Sequence, residues 1–333
     1  MTHKLRRRIL AVGEEPVPLN DTFPKSVAFV VGTYMKDGLP RTGVKGTAFL
    51  IQLQSDAVQG LAFWYVVTAA HVVRPLADSA IRLNLKAGGT HDWVVHHWFF
   101  HPTEDVAVAI LAVGGDHDFK TIPDNAFADK WDRAPNLGDR VYFLGLLAEM
   151  TEMAKTNVPM VRSGTLGALY QPGIPVEVAP STPVLMTGHL IDCRSYGGFS
   201  GSPCFVQFSE IRQVRTNRPD LVGVAMGDTT LLLGMVVAHY DLRRDAILTG
   251  DFAGSSGGVQ TEINTGVGVV LPVERIREAL MDEELVDLRR EHERRVKKEA
   301  APAATADVAL EAEPTLLRKD FESALKRKAV SDS

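Results

Sequence analysis

Between about Phe23 and Pro272, short apolar runs rich in β-branched and aromatic residues alternate with polar turn segments. Runs of this length and composition are typical of β-strands, and little helical periodicity interrupts them. The predicted strands are Ser26–Val31, Gly46–Ile51, Leu61–Thr68, Ile81–Leu85, Asp92–Phe100, Val106–Val113, Arg140–Leu144, Pro159–Tyr170, Val184–Cys193, Cys204–Phe208, Leu231–His239 and Gly266–Leu271. Many short strands without helices between them predict a mostly β protein, with an antiparallel sandwich or a pair of barrels.

A loop from Asp116 to Asp139, rich in Asp, Pro and Asn, separates the strands into two sets. The pattern changes after Pro272, where apolar residues at helical spacing predict a helix over Val273 to Arg295. The charged stretch from Arg289 to Arg295 is expected to be a solvated helix face. Beyond an Ala-rich linker, Leu316 to Val330 could form a short amphipathic helix that docks on its own domain or recruits a partner.

The composition is that of an ordinary globular protein, with 45% hydrophobic and 23% charged residues in a chain of 333. A net charge of -5 offers no basic field, so we expect no nucleic-acid partner. The apolar run Ile9–Val12 is shorter than the roughly 7–15 residues of a signal peptide, and no run could span a membrane. Cys193 and Cys204 allow at most one disulfide, so we expect reduced thiols and a cytoplasmic protein.

The first of three candidate catalytic motifs is Thr-Ala-Ala-His at positions 68–71, directly after an apolar strand. The small residues allow a tight turn that leaves His71 at the edge of a cleft. Because the pKa of an imidazole lies near neutrality, His71 is suited to act as a general base. A lone histidine after a strand is more often structural, but this local sequence favours catalysis.

The second motif places Asp105 at the mouth of the apolar strand that begins at Val106. A carboxylate there could accept a hydrogen bond from the far ring nitrogen of His71, which would fix the tautomer and stabilise the imidazolium. The alternative is that Asp105 only caps a turn, as aspartate often does.

The third motif is Gly-Gly-Phe-Ser-Gly-Ser-Pro at positions 197–203, just ahead of an apolar strand. It places Ser200 in a sharp turn, as expected of a nucleophile. The backbone N–H groups of Gly198 and Ser200 would then form an oxyanion hole. The alternative is a surface loop rich in Gly and Ser. The order His, Asp, Ser puts the base and the carboxylate in the first half of the chain and the nucleophile in the second.

Together the motifs resemble those of the trypsin-like peptidase family, particularly its bacterial, disulfide-poor members. The resemblance runs from about Ser26 to Leu280 and includes the strands Gly46–Ile51, Gly234–His239 and Gly266–Pro272. It implies a double antiparallel β-barrel followed by a C-terminal helix, to which the residue pattern after Pro272 adds a charged helical tail. It also implies an acyl-enzyme mechanism that uses His71, Asp105 and Ser200 as a catalytic triad and needs no metal or organic cofactor.

On this fold we expect an N-terminal extension over 1–24, a peptidase domain over 25–282 and a charged helical tail over 283–333. The first barrel would cover about 25–115 and the second about 139–272. No further domain of the PDZ type is predicted.

The chain departs from the family at two positions near the nucleophile. Phe199 stands where zymogen-type members have an acidic residue that pairs with a new N-terminus, so we expect no activation by N-terminal cleavage. Arg194 stands where trypsin has the aspartate that selects Lys or Arg. Arg194 and His239 could border the S1 pocket and favour an acidic or polar P1 residue. Alternatively, Arg194 points to solvent and His239 only closes the pocket.

A cluster of histidines before Asp105 raises the question of a metal site. Its members are His91, Asp92, His96, His97 and His101. The cluster has no known zinc spacing, and strand alternation puts neighbouring histidines on opposite faces, so we expect no metal.

The predicted function is a serine endopeptidase that acts on a protein or peptide substrate. The main alternative is a catalytically idle scaffold of the same fold that binds or regulates. A second is an interaction protein whose working part is the C-terminal tail. A serine esterase is a third, although the nucleophile turn of that class lies on an α/β sheet.

Overall fold

The computed structural model describes residues 22–130, 134–145, 156–179, 182–193, 198–215, 222–245 and 260–300. The predicted helix over Leu316 to Val330 and nearly all of the N-terminal extension lie outside these residues. The strands are β1 (Val27–Lys36), β2 (Leu39–Gln54), β3 (Ala62–Thr68), β4 (Asp78–Asn84), β5 (Thr90–Val94), β6 (Phe99–Phe100), β7 (Ala107–Ile110), β8 (Ile122–Pro123), β9 (Arg140–Gly145), β10 (Met160–Ala179), β11 (Thr182–Asp192), β12 (Ser202–Arg215), β13 (Val222–Asp245) and β14 (Gln260–Pro272). The helices are α1 (Thr22–Lys25), α2 (Ala70–Val73), α3 (Val273–Leu280) and α4 (Glu283–Ala300), with 3-10 turns at Asp124–Ala126 and Ala128–Lys130.

The first half of the chain forms an eight-stranded sheet in the order β5-β4-β1-β2-β3-β7-β6, and β8 pairs in parallel with β2. Among the described strands, β5 and β6 at the two ends are not hydrogen bonded to each other. Continuous apolar runs such as Val27–Val31 are buried along their length, as expected of strands covered on both faces. The large side chains Phe29, Phe49 and Tyr65 are at most 1% exposed and fill the core of this half.

The second half forms a closed barrel in the order β10-β11-β14-β13-β12-β9, with antiparallel pairing throughout. Its interior contains a separate cluster of apolar side chains that includes Phe143, Phe199, Cys204 and Val206. The predicted fold class, mostly β with antiparallel strands and a C-terminal helix, is confirmed.

Long hairpins are the main departure from the predicted strands. The strand predicted to end at Tyr170 continues to Ala179, because β10 keeps its pairing with β11 across a Pro-Gly step that indicates a turn. The register shifts on both sides of this step, and Tyr170 and Gly173 have positive φ angles, so the irregularity is absorbed as bulges. The predicted strand over Asp92–Phe100 is likewise two short strands, β5 and β6.

The predicted helix over Val273 to Arg295 is two helices, α3 and α4, separated at Met281 and Asp282. Helix α4 packs on the first sheet: Leu285 is fully buried, and Arg289 donates hydrogen bonds to the hydroxyl of Tyr65 at 2.8 Å and to the carbonyl oxygen of Leu280 at 2.9 Å. The ring of His292 lies edge-on to Phe63, and Glu293 accepts a hydrogen bond from Ser55.

The expectation of a solvated face is therefore wrong for three of the charged residues of α4: Arg289, His292 and Glu293. The pattern of charges does not indicate these contacts, because the partners, Tyr65, Phe63 and Ser55, lie in the first half of the chain. The predicted boundary at residue 283 stays a prediction.

Replacing Arg289 by Ala should lower the free energy of unfolding by about 1–3 kcal/mol, because the buried hydroxyl of Tyr65 loses its partner. The neighbouring Arg290→Ala is the matched control. Its side chain is 67% exposed and pairs only with the equally exposed Asp287, so the change should stay within about 0.5 kcal/mol. Urea unfolding of both variants measures the difference. Equal losses would contradict the docking of α4 through Arg289.

Candidate active site

His71 and Asp105 are held together by two hydrogen bonds. The ring nitrogen Nδ1 of His71 lies 2.5 Å from Oδ2 of Asp105, and the backbone N–H of His71 donates to Oδ1 at 2.8 Å. The side chains are only 20% and 11% exposed, so water competes little for these bonds. The carboxylate thus fixes both the position and the rotation of the imidazole and leaves Nε2 as the ring nitrogen available for other partners.

Local structure explains why these two residues meet. His71 lies in the single turn of α2, directly after β3, and Asp105 lies in the loop that leads into β7. Because β3 and β7 pair antiparallel, with Thr68 opposite Ala107, the end of one strand adjoins the start of the other. The backbone N–H of Ala70 also donates to the carbonyl oxygen of Asp105 at 3.3 Å, which ties the two loops together.

The turn that carries Ser200 belongs to the second barrel but docks on strand β2 of the first sheet. The backbone N–H of Thr47 donates to the carbonyl oxygen of Ser200 at 3.0 Å, and the hydroxyl of Thr47 donates to the carbonyl oxygen of Gly198 at 2.9 Å. The hydroxyl of Thr68 donates in turn to the carbonyl oxygen of Thr47 at 2.7 Å. Both threonines are fully buried.

Two glycines permit this close approach. Gly201 has a φ of +88°, and a Cβ there would overlap the carbonyl oxygen of Thr47. A Cβ on Gly46 would lie 2.8 Å from a methyl group of Val72 and 3.0 Å from the carbonyl oxygen of Ser200. Because Val72 adjoins His71 in the chain, Gly46 is where the helix of His71 and the turn of Ser200 come together.

The hydroxyl of Ser200 is directed to the carbonyl oxygen of Val237 on β13, at the long distance of 3.5 Å. No hydrogen bond joins it to His71 in the described structure. The structure therefore brings His71 and Asp105 into direct contact and places the turn of Ser200 against Gly46, beside Val72. The hydrogen bond between Ser200 and His71 that the predicted triad needs is not formed among the described residues. Catalytic hydrogen bonds are often long or misaligned before substrate binds.

The predicted oxyanion hole consists of the backbone N–H groups of Gly198 and Ser200. Neither N–H group donates to any acceptor among the described residues. Both residues are partly buried, and neighbouring backbone N–H groups in a turn of this kind could bind an anionic oxygen. The oxyanion hole stays a prediction.

Phe199, between these two residues, anchors the turn by packing. Its side chain is fully buried in the interior of the second barrel, and its ring lies edge-on to Phe143 with 5.2 Å between the ring centroids. Burial of a phenylalanine side chain stabilises by about 2–3 kcal/mol. Phe199 thus provides an apolar anchor at the position where zymogen-type members of the family have an acidic residue.

The described residues include only one of the two predicted specificity residues, Arg194 and His239. Arg194 lies outside the described residues. His239 is half-buried on β13, two residues beyond Val237, and is paired with Gly268 of β14. The pairing of β13 with β14 shifts register between Val236 and Ala238, so Val237 lies in a β-bulge.

A cavity of about 330 Å³ opens beside His71, on the side of the Asp105 loop. One wall is the segment from Ala70 to Arg74 together with the loop 102–105. The other wall is apolar and comes from the β10–β11 hairpin, through Val176 and residues 184–186. Sequence reasoning missed this wall because it depends on the extension of β10 beyond Tyr170.

Sequence reasoning also missed Thr47, although the resemblance included the strand that contains it. Its role depends on contacts with a turn some 150 residues later, and no local pattern reports such contacts. The local sign is the run of small residues Gly46, Thr47 and Ala48, which precedes the large apolar residues of the strand.

The histidine cluster does not converge in the structure. His91 faces His117, with ring nitrogens 2.9 Å apart, whereas His101 is buried and contacts Glu278. Within the part of the chain that the structure describes, no group of three or more His, Cys, Asp or Glu side chains is placed to hold a metal ion. None of the described helices is long and apolar enough to cross a bilayer.

Comparison with known families matches residues 46–210 to the trypsin-like peptidase domain. The match contains His71, Asp105 and Ser200, as well as Thr47. The chain belongs to the trypsin-like peptidase family. No curated protein matches it.

Solved structures with a similar fold include the protease domain of MamO from Magnetospirillum magneticum, with 16% identity and a TM-score of 0.45 over 79% of this chain and 100% of that one. The active form of the Rv3671c protease from M. tuberculosis has 15% identity and a TM-score of 0.40, over 78% and 81% of the two chains. An inactive form of the same protease has 16% identity and a TM-score of 0.39, over 78% and 89%. These similarities are too weak to bear on activity.

Replacing Thr47 by Val should slow modification of Ser200 by a fluorophosphonate roughly threefold to tenfold, the equivalent of one hydrogen bond. The variant keeps the shape of the side chain but removes the hydroxyl that holds the Gly198 carbonyl. Thr47→Ser keeps the hydroxyl and should react at nearly the wild-type rate. Equal rates for Thr47→Val and wild type would mean that this hydrogen bond does not order the turn.

Proposed function

We propose that the protein is a serine endopeptidase in which Ser200 is the nucleophile, His71 the general base and Asp105 the residue that orients it. The observation that carries this proposal is the arrangement of the His71–Asp105 pair and the Ser200 turn around Gly46. Two sets of contacts between groups far apart in sequence build it. The Asp105 carboxylate makes two hydrogen bonds with His71, and Thr47 makes two with the turn of Ser200. A structural histidine would need neither.

In the proposed reaction, rotation of the Ser200 side chain moves its hydroxyl from the Val237 carbonyl to Nε2 of His71. The hydroxyl oxygen attacks the peptide carbonyl carbon while His71 takes its proton, and Asp105 stabilises the resulting imidazolium. His71 then gives the proton to the leaving amine. Water, activated by the same histidine, attacks the acyl-enzyme, and the acid product leaves with Ser200 restored.

The N–H groups of Gly198 and Ser200 would bind the negative oxygen of each tetrahedral intermediate. Such donors act without reorganisation because the turn is already held by Thr47 on one side and by Phe199 on the other. Removing a single donor of this kind typically costs about 3–4 kcal/mol of transition-state stabilisation. No metal or organic cofactor takes part in the proposed chemistry.

We further propose a preference for an acidic or polar P1 residue, since His239 and Arg194 would both contribute to the S1 pocket. His239 lies on β13 two residues beyond Val237, and the carbonyl oxygen of Val237 contacts Ser200. Cleavage of a peptide library should reveal Glu, Asp or polar residues at P1. His239→Ala should weaken that preference, and cleavage after large apolar or basic residues would contradict it.

We propose a reducing, cytoplasmic setting and a protein or peptide substrate, without nucleic acid or membrane. Support comes from Cys193 and Cys204, both of which are buried, form no disulfide and have a pKa that is raised by burial. Such thiols are protected from oxidation and need no disulfide. Recruitment of a partner by the C-terminal tail stays a prediction, since residues 301–333 lie outside the described structure.

A catalytically idle scaffold is the second candidate function. The observation that favours it is the hydroxyl of Ser200, which contacts Val237 rather than His71. A protein that holds its serine there permanently would bind peptides without cutting them.

A fluorophosphonate probe separates the two candidates. We expect intact-mass analysis to show a single adduct on the wild-type protein and none on Ser200→Ala. Ser202→Ala is the matched control, because it removes a fully buried serine of the same turn and should leave labelling unchanged. A folded wild-type protein that forms no adduct would favour the scaffold.

A further inference from the structure

The loop that presents Asp105 is folded around a buried histidine outside the predicted triad. His101 is 7% exposed, and its backbone N–H donates to the carbonyl oxygen of Val106 at 3.0 Å, which closes the loop. Its ring nitrogen Nδ1 accepts the backbone N–H of Glu104 at 3.0 Å and that of Thr103 at 3.3 Å. An acceptor nitrogen carries no proton, so the ring proton is on Nε2.

That proton is directed to the C-terminal helix. Nε2 of His101 lies 3.1 Å from Oε2 of Glu278 on α3. Both oxygens of this carboxylate also accept from Arg275 at 2.9 Å, and Arg275 lies 3.7 Å from the carboxylate of Glu104. Burial alone would raise the pKa of Glu278, but the hydrogen bonds from Arg275 and His101 outweigh it and hold that pKa below its usual range.

Helix α3 thus holds the loop at two points, through His101 at its start and Glu104 directly before Asp105. The Asp105 carboxylate has to offer one oxygen to the backbone N–H of His71 and the other to the ring. A shift of the loop would disturb both hydrogen bonds together, because both come from one carboxylate.

We propose that His101 is a positioning residue for the reaction. By linking the loop of Asp105 to Glu278 on helix α3, it fixes the position of the Asp105 carboxylate. The inference rests on the proposed function of the site and adds residues that lie outside the triad. His101 does not line the cavity beside His71, so it acts through Asp105 rather than on the substrate.

A purely structural role would predict a different result. If His101 only stabilised the fold, its loss would lower the unfolding midpoint but leave the reactivity of the folded protein unchanged. A positioning role predicts slower chemistry at unchanged ligand affinity, together with a change in the His71–Asp105 hydrogen bond. Geometric errors of about 1 Å at a reacting group can cost on the order of a hundredfold in rate.

The experiment compares His101→Ala and Glu278→Ala with two controls, each assayed below its unfolding midpoint. Saturation kinetics with the fluorophosphonate separate the limiting rate of modification from the affinity for the probe. We expect the limiting rate to fall roughly tenfold to hundredfold in both variants at unchanged affinity. Glu278→Gln keeps an acceptor for Nε2 and should stay within about threefold of wild type. His96→Ala removes an exposed histidine five residues earlier and should change nothing.

Proton NMR of the same proteins gives a readout that does not need activity. The proton between Nδ1 of His71 and Asp105 should give a downfield resonance in wild type, in His96→Ala and in Glu278→Gln. We expect it to shift or broaden in His101→Ala and Glu278→Ala. Wild-type rates with an unchanged resonance in those two variants would overturn the inference. An unreactive wild type would refute the proposed function instead, and the resonance would still decide the role of His101.

Discussion

Two hydrogen bonds from Thr47 join the halves of this molecule where its chemistry is expected. The first sheet supplies His71 and Asp105, and the second barrel supplies the turn of Ser200. At their junction, a buried strand residue donates its backbone N–H and its hydroxyl to carbonyl oxygens of that turn. Gly46 and Gly201 leave the space for the contact, and Phe199 fixes the other side of the turn in the barrel interior.

Helix α3 is the second fixed point, and it reaches three separate segments. Its Glu274 accepts a hydrogen bond from Tyr170 on the β10–β11 hairpin, and its Arg277 pairs with Asp129 in the connection between the halves. Its Glu278 holds the loop of Asp105 through His101. One short helix after the last strand thus contacts the hairpin that borders the cavity, the connector and the loop of the predicted orienting carboxylate.

Much of this architecture could be predicted from the sequence because it depends on local patterns. Apolar runs gave strand positions close to those observed, and the order of the three motifs placed His71 and Asp105 on one half and Ser200 on the other. The contact between His71 and Asp105 followed from a strand end and a strand start that lie side by side. Each of the two motifs could be recognised from its own local sequence, a polar residue at the end or the start of an apolar strand.

Most of the missed features depend on partners far away in the chain. The Pro-Gly step in β10 indicates a turn, yet pairing with β11 continues past it through bulges. Arg289 belongs to a run of charges typical of a solvated face, and only the hydroxyl of Tyr65 makes it a docking residue. Thr47 and His101 have no special local sequence, since their roles are defined by the carbonyl oxygens and carboxylate that the fold brings to them.

The central claim is that docking on Thr47 presents Ser200 to His71 and presents the backbone N–H groups of Gly198 and Ser200 to an oxyanion. A crystal structure of the protein after reaction with a phosphonate tests this most directly. The account predicts phosphorus bonded to Oγ of Ser200, with the phosphoryl oxygen about 2.7–3.1 Å from the backbone nitrogens of both Gly198 and Ser200. It also predicts Nε2 of His71 within hydrogen-bonding distance of the adduct. An adduct whose phosphoryl oxygen faces solvent, with Thr47 still bound to the turn, would contradict it.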